Sequence, residues 1–184
     1  MNPKRLLVLS LLSGVLSYLS VSLPRMLEHR YPISDDAFWF FPGVFFGVFL
    51  LLPLASRSTQ RELRWVGLMI ISVVAWLIAV SVGFQVLPLT TDLPILSCGL
   101  SGSIGALILA VGSRTLIPIR STRPSVFSAL FSGFVGGCFI GWALSLPRGS
   151  VAGECLYLIG FLTFQSGVAL ALFRRHNVSE GADS

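Results

Sequence analysis

Residues 125–146 of the chain spell SVFSALFSGFVGGCFIGWALSL, a stretch of 22 positions without a charged side chain. A helix needs about 20 apolar residues to cross the hydrocarbon layer of a bilayer, which is ~30 Å thick, because it rises ~1.5 Å per residue. Within the stretch, Gly133, Gly137 and Gly141 recur at every fourth position and therefore share one helical face. The stretch predicts a membrane-spanning helix with a glycine face.

Five further windows of the chain have the same length and apolar character. They lie at 6–24, 38–55, 65–84, 95–113 and 154–173. Only 11 % of the residues are charged, whereas soluble domains carry roughly 25 %. The sequence therefore predicts an all-α integral membrane protein, a six-transmembrane-helix bundle over residues 1–173. A polar cytoplasmic tail over 174–184 is expected to be disordered, and no remaining segment is long enough for a fused ATPase, kinase or DNA-binding domain.

The basic residues alternate between the two sides of the predicted bundle. With a cytoplasmic N-terminus, three basic residues are external, Arg25, Arg30 and Arg148. Ten are internal, namely Lys4, Arg5, Arg57, Arg61, Arg64, Arg114, Arg120, Arg123, Arg174 and Arg175. The positive-inside rule then predicts that both termini are cytoplasmic, and we expect the plasma membrane (the bacterial inner membrane) as the location. Because the charge is spread over helix ends, the net charge of +5 does not indicate nucleic-acid binding.

Small residues recur at helical spacing in most of the predicted spans. In lipid, helices associate mainly where small residues let their backbones approach, so such stripes predict helix–helix contacts. We expect the third span, with bulky aliphatic residues, at the lipid-facing rim. Packing within one monomer and homodimerisation through the fifth span both fit the glycine pattern. The predicted packing glycines are Gly43, Gly47, Gly102, Gly105, Gly133, Gly137, Gly141, Gly160 and Gly167.

Gln165 is the one strongly polar side chain deep inside a predicted span. It lies 200° around the helix from Gly167, away from the glycine stripe that also contains Thr163. An amide without a partner in hydrocarbon costs several kcal/mol. We therefore expect Gln165 in the bundle interior, and Gln165 with Thr163 forms a candidate intramembrane polar site. Its partner could be a neighbouring helix, water or a solute.

The sequence contains few residues that could act in catalysis or bind a metal ion. The external acids and one histidine could converge in an outer-face polar cluster, although ordinary solvated loop charges also explain them. This candidate cluster comprises His29, Asp35, Asp36, Asp92 and Glu154. No catalytic, metal-binding or cofactor-binding residues are predicted, because no serine has a visible base and no metal-ligand spacing occurs. An enzyme is therefore the less favoured class.

Three structural questions stay open at the level of sequence. The first span could be a cleaved signal peptide, although its apolar run is longer than usual and lacks a cleavage site. Cys98 and Cys155 could form a disulfide or be buried apolar residues. Gly43-x-x-x-Gly47 resembles Gly133-x-x-x-Gly137 at an offset of 90 residues, which could indicate an inverted repeat of three-helix halves.

The predicted architecture favours two functional classes. The first is a small-solute permease, or the membrane subunit of a larger transporter, with Gln165 facing the solute. The alternative is a non-transporting scaffold or accessory protein that packs against other membrane proteins through glycine-rich faces. The absence of an ionisable residue in the middle of any predicted span disfavours an ion-coupled carrier. A water-filled cavity at Gln165 would favour transport, and a closed bundle would favour the scaffold.

Overall fold

A computed structural model of the chain describes residues 3–27, 40–51, 61–86, 93–116, 123–147 and 149–173. These residues form six helices and no strand. The helices are α1 (Pro3–Leu27), α2 (Phe41–Phe46), α3 (Arg61–Ser81), α4 (Pro94–Leu116), α5 (Arg123–Ser145) and α6 (Val151–Phe173). Helix α2 continues as a π-helical segment over Gly47–Leu51, and α3 continues likewise over Val82–Val86.

Five of the six helices are long and apolar enough to cross a membrane. They are α1, α3, α4, α5 and α6, which makes the fold consistent with a multi-pass integral membrane protein. The second predicted span differs, because the apolar helix there covers only Phe41–Leu50. At ~1.5 Å per residue that helix covers roughly half of the hydrocarbon layer. The remaining positions of the predicted span, 38–39 and 52–55, lie outside the described residues.

Helix α1 extends three residues beyond the predicted span 6–24. The helix continues to Leu27, with Pro24 inside it. A proline removes one backbone hydrogen bond and usually kinks or ends a helix. Here it falls in the last turn, where little helix remains to be disrupted, and membrane helices commonly tolerate proline.

Helix α6 begins three residues earlier than the sequence predicted. The hydroxyl oxygen of Ser150 accepts a hydrogen bond from the backbone N–H of Gly153 at 3.2 Å, which is the standard N-cap arrangement. The backbone N–H of Glu154 donates to the carbonyl of Ser150 at 3.0 Å. Gly149 just before the cap has φ +76°, a conformation that glycine adopts readily. As a result, Glu154 lies in the first turn of α6 and not in a loop.

The six helices form a closed ring in chain order. Helix α1 packs against α2, each later helix packs against the next, and α6 returns to α1. The most extensive contacts are α4 with α5 and α5 with α6. Helix α3 is the least buried of the five long helices, with 22 % of its apolar window buried against 50 % for α4 and α6. The outward faces of the ring carry large exposed apolar side chains, as expected for contact with lipid.

The centre of the ring is filled by apolar side chains. Phe46 from α2, Ala75 from α3, Leu109 from α4 and Phe164 from α6 belong to one buried cluster. The rings of Phe46 and Phe164 meet edge to face with centroids 6.4 Å apart, a favoured aromatic geometry. The described helices therefore pack around an apolar core.

The glycine contacts do not repeat between the two halves of the chain. An inverted repeat would make α2 equivalent to α5 and α3 equivalent to α6. A Cβ added at Gly43 would meet the backbone of Val73 on α3 at 2.8 Å. At Gly133, its counterpart, an added Cβ would instead overlap the carbonyl of Gly102 on α4. Equivalent motifs face non-equivalent helices, so the described packing gives the repeat no support.

Candidate functional site

The α4–α5 contact brings glycine backbones together. An added Cβ at Gly102 would overlap the carbonyl of Gly133, and one at Gly137 would overlap the carbonyl of Cys98. At Gly141 the added atom would lie 2.7 Å from the carbonyl oxygen of Pro94. No side chain fits at these positions without moving a backbone.

The remaining sequence-predicted glycines also face neighbouring helices of the same chain. Gly43 and Gly47 on α2 face α3. A Cβ added at Gly105 on α4 would lie 3.0 Å from the Cβ of Ala79 on α3. Gly160 and Gly167 on α6 face α5. All of these glycine faces are therefore occupied within one chain.

Polar side chains line the contact between α1 and α6, and we call this row the α1–α6 seam. It consists of Ser10, Ser17, Tyr18 and Ser22 on α1, and Glu154, Gln165 and Ser166 on α6. Ser10 and Ser17 are seven residues apart and share one helical face, and an added Cβ at Gly14 between them would meet the backbone of Leu162 at 3.2 Å. This close approach places hydroxyl groups within hydrogen-bonding reach of α6.

Gln165 is a fully buried polar side chain of the seam, with 2 % of its surface exposed. Its Nε2 donates a hydrogen bond to the hydroxyl oxygen of Ser17 at 2.6 Å. Its Oε1 is buried and has no hydrogen-bond partner among the described residues, and the same holds for the hydroxyl of Ser13. Thr163, the other residue of the predicted polar site, is half-buried and does not line the cavity next to Gln165.

The end of the seam at the start of α6 is organised by Glu154. Its Oε2 accepts hydrogen bonds from the hydroxyl of Tyr18 at 2.9 Å and from the hydroxyl of Ser22 at 3.1 Å. The carboxylate therefore joins the first turn of α6 to the last turns of α1, and is not an isolated solvated charge. The other four members of the predicted outer-face cluster, His29, Asp35, Asp36 and Asp92, lie outside the described residues.

A small cavity adjoins Gln165 on the side of α2, α3 and α4. Its volume is about 10 Å³, and its polar lining comes from Gln165, Ser72 and Gly43. The Ser72 hydroxyl donates to the carbonyl of Gly43 at 2.6 Å. The remaining lining includes Phe46, Trp76, Leu109 and Phe164, so the walls are largely apolar.

The described residues offer little for catalysis or metal binding. No three His, Cys, Asp or Glu side chains lie together among them. The three cysteines are free: Cys98 is buried, Cys138 half-buried and Cys155 exposed. Cys98 lies against α5, next to Gly137 and Gly141, and not against Cys155.

The sequence pointed to Gln165 but not to its partners. The serine face of α1 was visible as a spacing of three and four residues, yet nothing in that spacing identified α6 as the neighbour. Ser72 was not predicted from the sequence, because a lone serine in an apolar helix has many possible roles. Gly43 was predicted as a packing glycine, but not as the acceptor for Ser72. No protein-family model matches the chain, and no curated protein or solved structure is significantly similar to it.

Proposed function

We propose that the chain crosses the plasma membrane six times, with both termini in the cytoplasm and α2 as part of the second crossing. Two observations support this topology. Helix α2 occupies a full place in the ring, between α1 and α3. The distribution of basic residues, ten internal against three external for six crossings, fits the positive-inside rule.

Reporter fusions distinguish six crossings from five. With six crossings, a reporter after Ser184 is cytoplasmic, and one inserted within 85–94 is external. If α2 instead enters and leaves on the same side, the chain crosses the membrane five times. With a cytoplasmic N-terminus, the reporter within 85–94 is then cytoplasmic and the one after Ser184 is external. A paired phosphatase and fluorescent-protein reporter at each position gives the answer, with an N-terminal fusion as the reference. An external C-terminus beside a cytoplasmic N-terminus would contradict the proposal.

We propose further that the protein is a non-transporting scaffold or accessory protein of the membrane. The observation that carries this proposal is the filled centre of the ring, where Phe46, Leu109 and Phe164 occupy the position a conduit would need. The cavity of about 10 Å³ at Gln165 is far smaller than the ~300 Å³ of a typical small-molecule site.

Partner proteins would have to use surfaces other than the glycine stripes. The described packing glycines already contact neighbouring helices within the chain. Helix α3 is the least buried of the long helices, and its Val66, Ile70 and Val74 are exposed. We place the contact with partner membrane proteins, or with a second copy, on such outward faces, which lipid otherwise covers.

A small-solute permease is the second candidate function. The observation in its favour is the buried Oε1 of Gln165, an acceptor without a partner among the described residues, in a side chain that lines a cavity. For a permease, the described arrangement would be a closed state whose core side chains move during transport.

Flux through proteoliposomes separates the two functions. For the accessory protein, we expect vesicles containing it to admit water, urea and glycerol no faster than protein-free vesicles, measured by light scattering after an osmotic step. A faster flux that Gln165→Leu abolishes would favour the permease and contradict the accessory role. Gln85→Leu is the matched control, because Gln85 is exposed at the end of α3.

A further inference from the structure

The amide of Gln165 is only half satisfied by the protein. Its nitrogen donates to Ser17 on α1, but its oxygen is buried without a partner among the described residues. A carbonyl oxygen without a partner in a low-dielectric interior is unfavourable, and buried polar groups almost always have a hydrogen bond. The oxygen therefore indicates a donor that does not belong to the described residues.

The cavity beside this amide has a matching size. Its volume of about 10 Å³ is close to the smallest space, roughly 10–15 Å³ by the same kind of measure, that holds one water molecule. This volume is too small for larger solutes, and the large rings of Phe46, Trp76 and Phe164 are among its lining residues.

The polarity of the lining restricts the ligand further. Ser72 is one of the residues that line the cavity. Its hydroxyl donates its hydrogen to the carbonyl of Gly43, so its oxygen can only accept a further hydrogen bond. The oxygen of Gln165 is an acceptor as well. An anion would be repelled by two acceptors, and a cation would lose its hydration among apolar walls without a compensating charge.

We propose that one ordered water molecule occupies this cavity. It donates one hydrogen to Oε1 of Gln165 and the other to the hydroxyl oxygen of Ser72. The water thereby links α6 to α3, and through Ser72 and Gly43 to α2. Gln165 completes the connection by bonding Ser17 on α1, so a single polar chain crosses the centre of the ring. This proposal is independent of whether the protein transports a solute.

Magnetic resonance on the folded protein tests the site directly. The chain has three glutamines, Gln60, Gln85 and Gln165. With ¹⁵N-glutamine labelling and Gln60→Asn and Gln85→Asn, one pair of side-chain amide signals remains. We expect a cross-peak between that pair and the water resonance, with the sign of a long-lived contact. Its absence, or cross-peaks to detergent chains alone, would overturn the proposal.

A double-mutant cycle gives an independent test. Gln165→Leu and Ser72→Ala remove the two acceptors, which do not hydrogen-bond to each other directly. If a water bridges them, the melting temperature of the double variant falls by less than the sum of the single decreases. Ser113→Ala is the matched control, because Ser113 is buried on α4, bonds its own helix and does not line the cavity. Additive decreases for both serine variants would contradict the bridge.

Discussion

Gly137→Leu is expected to prevent the bundle from forming a stable fold. Even the first carbon of the new side chain would overlap the carbonyl of Cys98, which is backbone and cannot rotate away. Helices α4 and α5 would have to separate along the most extensive contact of the ring. Overpacking a core costs roughly 1–3 kcal/mol where side chains can adjust, and we expect at least the upper value here.

Val74→Leu is the matched control for this prediction. Val74 lies on α3 with 41 % of its surface exposed, so an added methylene extends into lipid. In detergent, we expect this variant to melt within a few degrees of the wild type, whereas Gly137→Leu aggregates or melts far lower. Melting temperatures followed by tryptophan fluorescence and size-exclusion profiles provide the measurement. Similar stability of the two variants would show that α4 and α5 do not meet at Gly137.

Phe164→Ala is expected to have the second largest effect on stability. Phe164 is only 8 % exposed, contacts Phe46 at the centre of the ring and also lines the cavity beside Gln165. Its removal would leave a hole that surrounding helices fill only in part. Large-to-small changes of this kind cost about 3–5 kcal/mol in soluble cores. We expect a cost near the lower end of this range. Moving an apolar side chain from lipid into the bundle contributes little free energy, so lost packing contacts account for most of the cost.

Phe131→Ala makes the same chemical change on the outside of the bundle. Phe131 is 61 % exposed on α5, and its loss leaves a gap that lipid can fill. The comparison is best made by unfolding in a detergent series, with both variants measured against the wild type. If the two alanine variants were equally stable, the aromatic centre of the ring would not be a packed core.

Some of this arrangement was accessible from the sequence. The length and apolar character of five windows define α1 and α3 to α6, because the bilayer thickness leaves few alternatives for such segments. The angular offset of Gln165 from Gly167 separates two faces of α6. In the structure, the face with Gly167 packs against α5, and the face with Gln165 packs against α1.

Other features depend on contacts that a single sequence does not contain. The start of α6 was placed too late because Ser150 looks like a loop residue until its N-cap hydrogen bond from the backbone N–H of Gly153 is seen. The end of α1 was placed too early because a proline usually ends a helix. Pro24 lies in the last turn, where proline disrupts little of the helix. The role of Ser72 requires knowing that α2 and α3 lie side by side. Pairing of distant helices is a tertiary property, and spacing alone does not determine it.

The central claim is that the six helices close around a packed core, with no aqueous path to Gln165. Cysteine accessibility tests this claim most directly, using Gln165→Cys in a Cys155→Ser background so that the exposed native thiol is absent. Gln85→Cys in the same background is the accessible control. We predict that a small, hydrophilic thiol reagent labels the cysteine at position 85. The cysteine at position 165 should stay unmodified when the reagent is added to either side of the membrane. Rapid labelling at position 165 from either side, with the bundle still folded, would contradict it.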